Sequence, residues 1–261
     1  MMELKVLDKG FVRLVDVMGD DNAIVQAARV SYGGGTKSFR QDASLIDYLM
    51  RHRHTSPFEM VEFKFHIKAP IFVVRQWFRH RTASINEISA RYSVLKDEFY
   101  VPEKFRFQSK TNKQKSEGEF EDQEALETYL RAINESYRSY IALLDRGIAR
   151  EMARSALPVS IYTEFYWKQD LHNLFHFLKL RLGEDAQHEI REYAKAIAKI
   201  VKDRVPLAYA SFEEHVLYGK TFSKTELEVI KKYLDKEKIS QELLERGLST
   251  SRVREFLEKL S

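Results

Sequence analysis

The sequence predicts an α+β fold: a mixed sheet with long helices, followed by a helical C-terminal extension. Three observations carry this. Strand-like stretches are interspersed with helical ones through the first part of the chain, and a helical half follows. Val61, Phe63, Phe65 and Ile67 alternate with Glu62, Lys64, His66 and Lys68, the pattern of a strand with one buried face. From Lys220 onward the composition shifts to Glu, Lys and Leu. The expected division is therefore a domain over 1–219 and an extension over 220–261.

Residues 3–18 read as extended segments punctuated by Gly10 and Gly19. Asp20 or Asp21 caps a helix through Ala28. Gly33, Gly34 and Gly35 form either a loop or a phosphate cradle, although no Gly-Lys-Ser/Thr pattern follows. An amphipathic helix over 40–52 carries Leu45, Ile46, Leu49 and Met50 on one side, with Pro57 as its stop. After the strand, Pro70 opens a helix that turns Ile71, Val74 and Phe78 inward and delivers Arg75, Gln76 and Arg79. Residues 82–92 read as irregular, 93–102 as a strand, and 103–119 as a polar surface excursion. A long helix spans about 121–145, ended by Gly147. A shorter one, cut by Pro158, carries Arg150 and Arg154 on one face. SIYTEFYWK reads as a strand, and Asp170 caps the helix LHNLFHFLKLRL. Its Leu171, Leu174, Phe175 and Leu178 face the core, with His172, His176 and Lys179 in a second stripe. Helices over 184–204 and 207–218 are separated by Pro206. In the extension, breaks are expected at Ile239-Ser240 and Gly247.

A net charge of +4 is too mild for a dedicated nucleic-acid coat, so basic residues matter only where they cluster. The absence of cysteine excludes disulfides, thiolate metal sites and a cysteine nucleophile. No stretch approaches the roughly 18 apolar residues of a membrane span, and the N-terminus lacks a signal-peptide core, so a cytoplasmic location is expected.

The densest chemistry lies in Gln76–Tyr92, QWFRHRTASINEISARY, where Arg79, His80, Arg81 and Arg91 surround Glu87. Arginine forks pair with phosphate or carboxylate, so the stretch suits a phosphorylated small molecule or a nucleic-acid backbone. The alternative is a solvated basic face. Asn86 and Glu87 favour a ligand, since an amide and a carboxylate read a base edge or a ribose, and Ser84 and Ser89 are small donors suited to close approach. A second cluster, His52, His54, Ser56 and Glu59, reads as a helix terminus, a polar wall or a metal site. His172 and His176, four apart on one helix, have zinc-compatible spacing without a His-Glu-x-x-His motif. Two further readings therefore stand beside a small-molecule enzyme: a nucleic-acid-binding protein using 75–91, and a metal hydrolase using His54, His172 and His176.

Arg79-His80-Arg81, seven residues and then Ser89, resembles the signature of the flavin-dependent thymidylate synthases. APIFVVRQWF, VEFKFHIKAP, REMARSALP and the LHNLFHFLKLR helix resemble the family too, over roughly residues 3–218. The resemblance implies that family's fold and a homotetramer whose active sites are shared between subunits, with no nucleic-acid or membrane partner. It implies methylation of dUMP to dTMP, with methylenetetrahydrofolate as carbon donor, FAD as hydride carrier and NADPH as its reductant. It places Gln76, Arg79, Glu87, Ser89, Arg91 and Arg154 around dUMP, and makes Arg181 the arginine that polarises the uracil. It assigns His54, Ser56, Glu59, Arg79, His80, Arg81, Asn86 and Glu87 to FAD, with Ser31, Asp170, His172 and His176, and implies no metal. The missing cysteine agrees with it, because the classical thymidylate synthase attacks uracil with a thiolate. The chain departs from the family at Asp170 and His172, where Asn and Arg are common, and carries His176 where others have Asn or His.

Overall fold

The structure is a computed structural model and describes residues 2–30 and 39–260. The triple glycine and Ser31 lie outside the described residues. The chain divides into two compact units, 1–217 and 218–261.

The first unit is built on a five-stranded sheet. Its strands are β1 (Glu3–Val6), β2 (Gly10–Met18), β3 (Glu62–Pro70), β4 (Ser84–Glu87) and, after the hairpin described below, β7 (Tyr162–Asp170). The order is β1-β2-β3-β7-β4. Every pairing is antiparallel, so the sheet is not the mixed one expected. β3 and β7, the two longest-paired strands, lie at the centre, in register from Glu62–Asp170 to Pro70–Tyr162. The alternation read from the sequence is what β3 does. Phe63, Phe65 and Ile67 are fully buried, and their β7 counterparts Phe165 and Trp167 join them. The other face carries Lys64, His66, Tyr166 and Lys168. There the His66 and Tyr166 rings stack at 4.8 Å, and His66 meets Glu164 at 3.0 Å.

Among the described residues, six helices cover the apolar face: α1 (Asp21–Arg29), α2 (Phe39–Arg51), α3 (Ile71–Trp77), α6 (Leu171–Arg181), α7 (His188–Arg204) and α8 (Pro206–Phe212). The long α4 (Gln123–Asp145) instead buries Ile133 in a smaller cluster with Phe99 and Ile161, and α5 (Arg150–Ala153) packs against α4. Trp77, fully buried, makes edge-on contacts with Phe165, Trp167 and Tyr193 and a tilted one with Phe177. This aromatic cluster fixes α3 and α6 against the sheet and so positions the residues at their far ends. Among the described residues no helix is long and apolar enough to cross a membrane.

Several expected elements differ. β4 forms where an irregular segment is expected. It is an edge strand held by backbone pairing to β7, and its four residues are all exposed, so it carries no hydrophobic period. The strand expected over 93–102 reduces to one bridge, Phe99 to Ile161. Phe99 and Tyr100 are buried there as anchors of an irregular chain, which is why the stretch looks strand-like. The polar excursion contains a hairpin, β5 (Phe105–Gln108) and β6 (Ser116–Phe120), clasped by Phe107 stacked on Phe120 at 4.1 Å. Pro206 is the first residue of α8 rather than a separator, a position where its missing N–H costs nothing.

α2 ends before Pro57, on Arg53 in the left-handed conformation at φ +59°. Arg53 N donates to Met50 O, and His54 N to Leu49 O, the paired bonds of a Schellman cap. A non-glycine residue there carries steric strain. Arg53→Gly should therefore raise unfolding stability by about 0.5–1 kcal/mol, read as a higher denaturant midpoint at unchanged slope.

The second unit holds α9 (Lys224–Tyr233), α10 (Lys236–Glu245) and α11 (Thr250–Lys259). Ser223 and Glu226 form a capping box, and Asp235 and Ser249 cap the next two helices. The first break thus falls at Leu234-Asp235. Ile239-Ser240 lies inside α10, because Asp235 supplies the N-cap and Ser240 Oγ simply bonds back to Lys236 O.

Candidate active site

α3 presents two functional faces. Ile71, Val74, Arg75 and Phe78, spaced along one side, line a cavity of about 590 Å³ shared with Glu87 and Arg154. This volume lies within the range of small-molecule sites. Glu87 reaches it from β4, and Arg154 from the 3-10 turn after α5. Thr163 on β7 donates to Glu87 Oε1 at 2.8 Å and holds the carboxylate there. Arg91 sits at the same place, paired with Glu151 at 3.1 Å, and Ser89 Oγ accepts from Arg91 N at 3.3 Å. Arg154, distant in sequence, is thus brought to the cavity that Glu87 lines, with Arg91 and Ser89 of the same stretch as Glu87 linked to it through Glu151.

Gln76 points from a different side of α3. Its backbone carbonyl accepts from an Arg181 terminal nitrogen at 3.1 Å, and Arg181 Nε donates to His80 Nε2 at 3.0 Å. The His80 ring also lies 6.0 Å from His176 and 4.9 Å from Phe177. Burial, then the Arg181 charge and His176, lower the His80 pKa to about 4. His80 is therefore neutral at pH 7, as an acceptor for Arg181 must be. Arg181 is itself pulled below its ordinary value by burial and by the Arg79 charge. Neither Gln76 nor Arg181 lines the 590 Å³ cavity, so the residues expected around dUMP form two groups within one chain.

The residues expected to meet FAD follow α6. At its start Leu171 N donates to Val61 O at 2.8 Å, which brings the preceding segment, with His54, Ser56 and Glu59, toward Asp170 and His172. Asp170 caps α6, accepting from Asn173 N at 2.9 Å and Asn173 Nδ2 at 2.8 Å. About 16 Å further on, at the end of an eleven-residue helix, stand His80 and Arg181. Arg79 and Arg81 are exposed and have no carboxylate partner among the described residues. Asn86 is exposed on the edge strand. A pyrophosphate needs such uncommitted cations and donors, so this set fits a dinucleotide cofactor. Among the described residues no three His, Asp or Glu side chains converge as metal ligands, and His54 stands apart from His172 and His176 in its ring contacts.

Sequence reasoning missed Thr163, Gln187 and Glu189. Gln76 Nε2 donates to Gln187 Oε1, and Gln187 Nε2 to Glu189 Oε2 at 2.7 Å. Glu189 is 2% exposed and is also met by Arg106 and by the Tyr100 hydroxyl at 3.1 Å. Their one sequence signal was a carboxylate falling on the apolar stripe of α7.

A flat anion could be held by the arginines, its hydroxyls read by Glu87, and its ring polarised by a rigid guanidinium. The fold and these groups define an enzyme acting on a phosphorylated small molecule. The chain belongs to the thymidylate synthase complementing protein family, whose model matches residues 13–207. It is 67% identical to the flavin-dependent thymidylate synthase of Thermus thermophilus over 259 residues, 99% of this chain and 96% of that protein. It is 58% identical to the enzyme of the same name from Treponema denticola, covering 88% of each. It is also similar to the crystal structure of a UMP/dUMP methylase, PolB, from Streptomyces cacaoi bound with 5-Br dUMP. That match has a TM-score of 0.74 at 36% identity, over 81% of this chain and 97% of that one. The Thermus match includes the segment after Lys220, which carries no resemblance on its own motifs.

Proposed function

We propose that the chain converts dUMP to dTMP, taking the methylene carbon from 5,10-methylenetetrahydrofolate with FAD as its resident cofactor. Family membership and the 67% identical flavin-dependent thymidylate synthase support this, and they displace the nucleic-acid and metal-hydrolase readings. The observation that carries it in the site is Arg181, tied at two points in a chain with no cysteine. Bound FAD supplies the hydride that completes the methyl group, and NADPH renews it.

The chain's own residues do the rest. Neutral His80 and the Gln76 carbonyl take two of the Arg181 donors and leave the others for the uracil. A fixed positive charge at the N3 edge stabilises the N3-ionised ring, which is richer in electrons at C5, the carbon to be methylated. A preorganised charge thus replaces the thiolate this sequence lacks. Gln76, Arg79, Glu87, Ser89, Arg91 and Arg154 hold the nucleotide, with Arg154 and Arg91 suited to phosphate and Glu87 to a ribose hydroxyl. Arg79, His80, Arg81, Asn86 and Glu87 hold FAD, with His54, Ser56, Glu59, His172 and His176 along α6. Asp170 keeps α6 in place. Residues 1–219 form the synthase domain, and 220–261 a helical C-terminal extension. The enzyme would act in the cytoplasm, where its nucleotide and folate substrates are made.

In this reading it is a homotetramer with shared sites. The support is the split already described: Glu87 and Arg154 line one side of α3, while Gln76 and Arg181 meet elsewhere. One nucleotide reaching both groups takes them from different subunits. Co-expressed Arg154→Ala and Arg181→Ala chains should regain dTMP formation that neither variant has alone; no recovery in mixed tetramers would contradict shared sites.

The decisive test is direct. Purified protein should be yellow or take up FAD, its colour should bleach with NADPH, and dUMP with methylenetetrahydrofolate should yield dTMP. A protein that neither retains nor accepts FAD would sink the reading.

A further inference from the structure

We infer that Gln169 is a positioning residue for the flavin: its buried amide pins the turn that carries Arg79 and Arg81, and so presets both cations for the cofactor's pyrophosphate. The inference rests on the proposed reading that these arginines hold FAD.

Gln169 is a polar side chain where the fold asks for an apolar one. On β7, Phe165, Trp167 and Gln169 alternate onto the face turned to the core, and Gln169 is 3% exposed. Its Nε2 donates to Thr82 O at 3.1 Å. A carbonyl only accepts, so the nitrogen end of the amide must face Thr82. The oxygen end is then buried, and among the described residues no donor reaches it. A buried acceptor left unmet destabilises a fold, whereas Thr82 is exposed and its carbonyl can meet water. For stability alone an apolar side chain would suit this position better. The advantage of the amide therefore lies in where it holds Thr82.

Thr82 belongs to the turn 78–83 between α3 and β4. At the α3 end, Arg79 N and His80 N donate back to Gln76 O and Trp77 O, and the His80 ring is bonded to Arg181. At the other end the β4–β7 ladder stops at Ser84–Lys168. Gln169, the residue after Lys168, ties the turn to β7 beyond that last backbone pair. Arg81 thus lies between two anchored neighbours, His80 and Thr82, with Arg79 just before them, and both arginine side chains are exposed. A turn pinned in this way has little freedom left to lose when an anion arrives, so little of the binding energy is spent on ordering it. Arginine bonds to phosphate depend on direction as well as charge, which makes that order count.

The test uses Gln169→Met, a side chain of similar length with no amide. FAD release from the loaded enzyme and rebinding by the flavin-free protein are followed by flavin fluorescence. The Kd for FAD should rise at least tenfold, while the thermal midpoint of the flavin-free protein holds or rises. Turnover at saturating FAD, and dUMP binding to the FAD-saturated enzyme, should stay within threefold of wild type. Gln169→Leu, of different shape but also without a donor, should lose FAD likewise. In an Arg81→Ala background, where one of the two cations is already gone, Gln169→Met should weaken FAD by less than threefold further. An FAD affinity within threefold of wild type in both single variants would overturn the inference. So would a full tenfold loss in the Arg81→Ala background, or a lowered midpoint with equal losses for FAD and dUMP, which would leave Gln169 a packing residue. If the wild-type protein itself binds no FAD, the underlying reading fails instead.

Discussion

Arg181→Ala should lower dTMP formation by about 10²–10³-fold while the protein stays folded and flavin-loaded. The magnitude follows from what the guanidinium is asked to do. Arg181 lies at the last turn of α6, half-buried, with its Nε on His80 and a terminal nitrogen on the Gln76 carbonyl. Those two bonds leave it little freedom, so its charge is in place before the substrate arrives and no reorganisation is needed as charge develops on the ring. Alanine removes that charge, and water entering the gap screens what remains. The effect should appear chiefly in turnover at saturating dUMP, because Arg154 and Arg91 still offer their charges to the phosphate. Arg181→Lys restores the charge but neither the planar fork nor both tethers, so it should recover only part of the loss. The measurement is single-turnover dTMP formation together with the flavin absorption spectrum. Turnover within threefold of wild type for Arg181→Ala would remove Arg181 from the chemistry.

Which parts of this arrangement a reader of the bare sequence could find depended on burial. β3 was legible because Phe63, Phe65 and Ile67 are buried on one face, and burial is what writes period two into a sequence. Asp170 was legible as a cap because capping needs a short acceptor at one position. β4 was not, since an exposed edge strand is held by backbone bonds that leave no mark on side chains. The site divides the same way. The arginines and His80 stand close together in sequence and attract notice as a cluster. Thr163, Gln187 and Glu189 touch Glu87, Gln76 and one another only through the fold, from positions far along the chain. The separation of Arg154 from Arg181 on two sides of α3 was invisible too, because the helical spacing of one partner says nothing about where the other will dock.

Stability should fall steeply with acid between about pH 6.5 and pH 4, with His80 as a main cause. Burial first, then the charge of Arg181 and the nearness of His176, hold its pKa down at about 4 against an ordinary 6.5. In that window the unfolded chain binds a proton at this position and the folded chain does not. Unfolding therefore takes up protons, and stability rises with pH by up to roughly 1.4 kcal/mol per unit from this group alone. Above pH 6.5 both states are neutral there and the slope vanishes; below pH 4 both are charged and it vanishes again. The same titration acts on function, because a protonated Nε2 cannot accept from Arg181 and would set two positive charges against each other at 3.0 Å. His80→Gln keeps an acceptor without a proton to gain. It should flatten the acid limb of a denaturant-stability profile while retaining more turnover than His80→Phe, which leaves the Arg181 Nε unpaired. An acid limb equally steep in wild type and His80→Gln would show that His80 is not held neutral by the fold, and that Arg181 is oriented by other means.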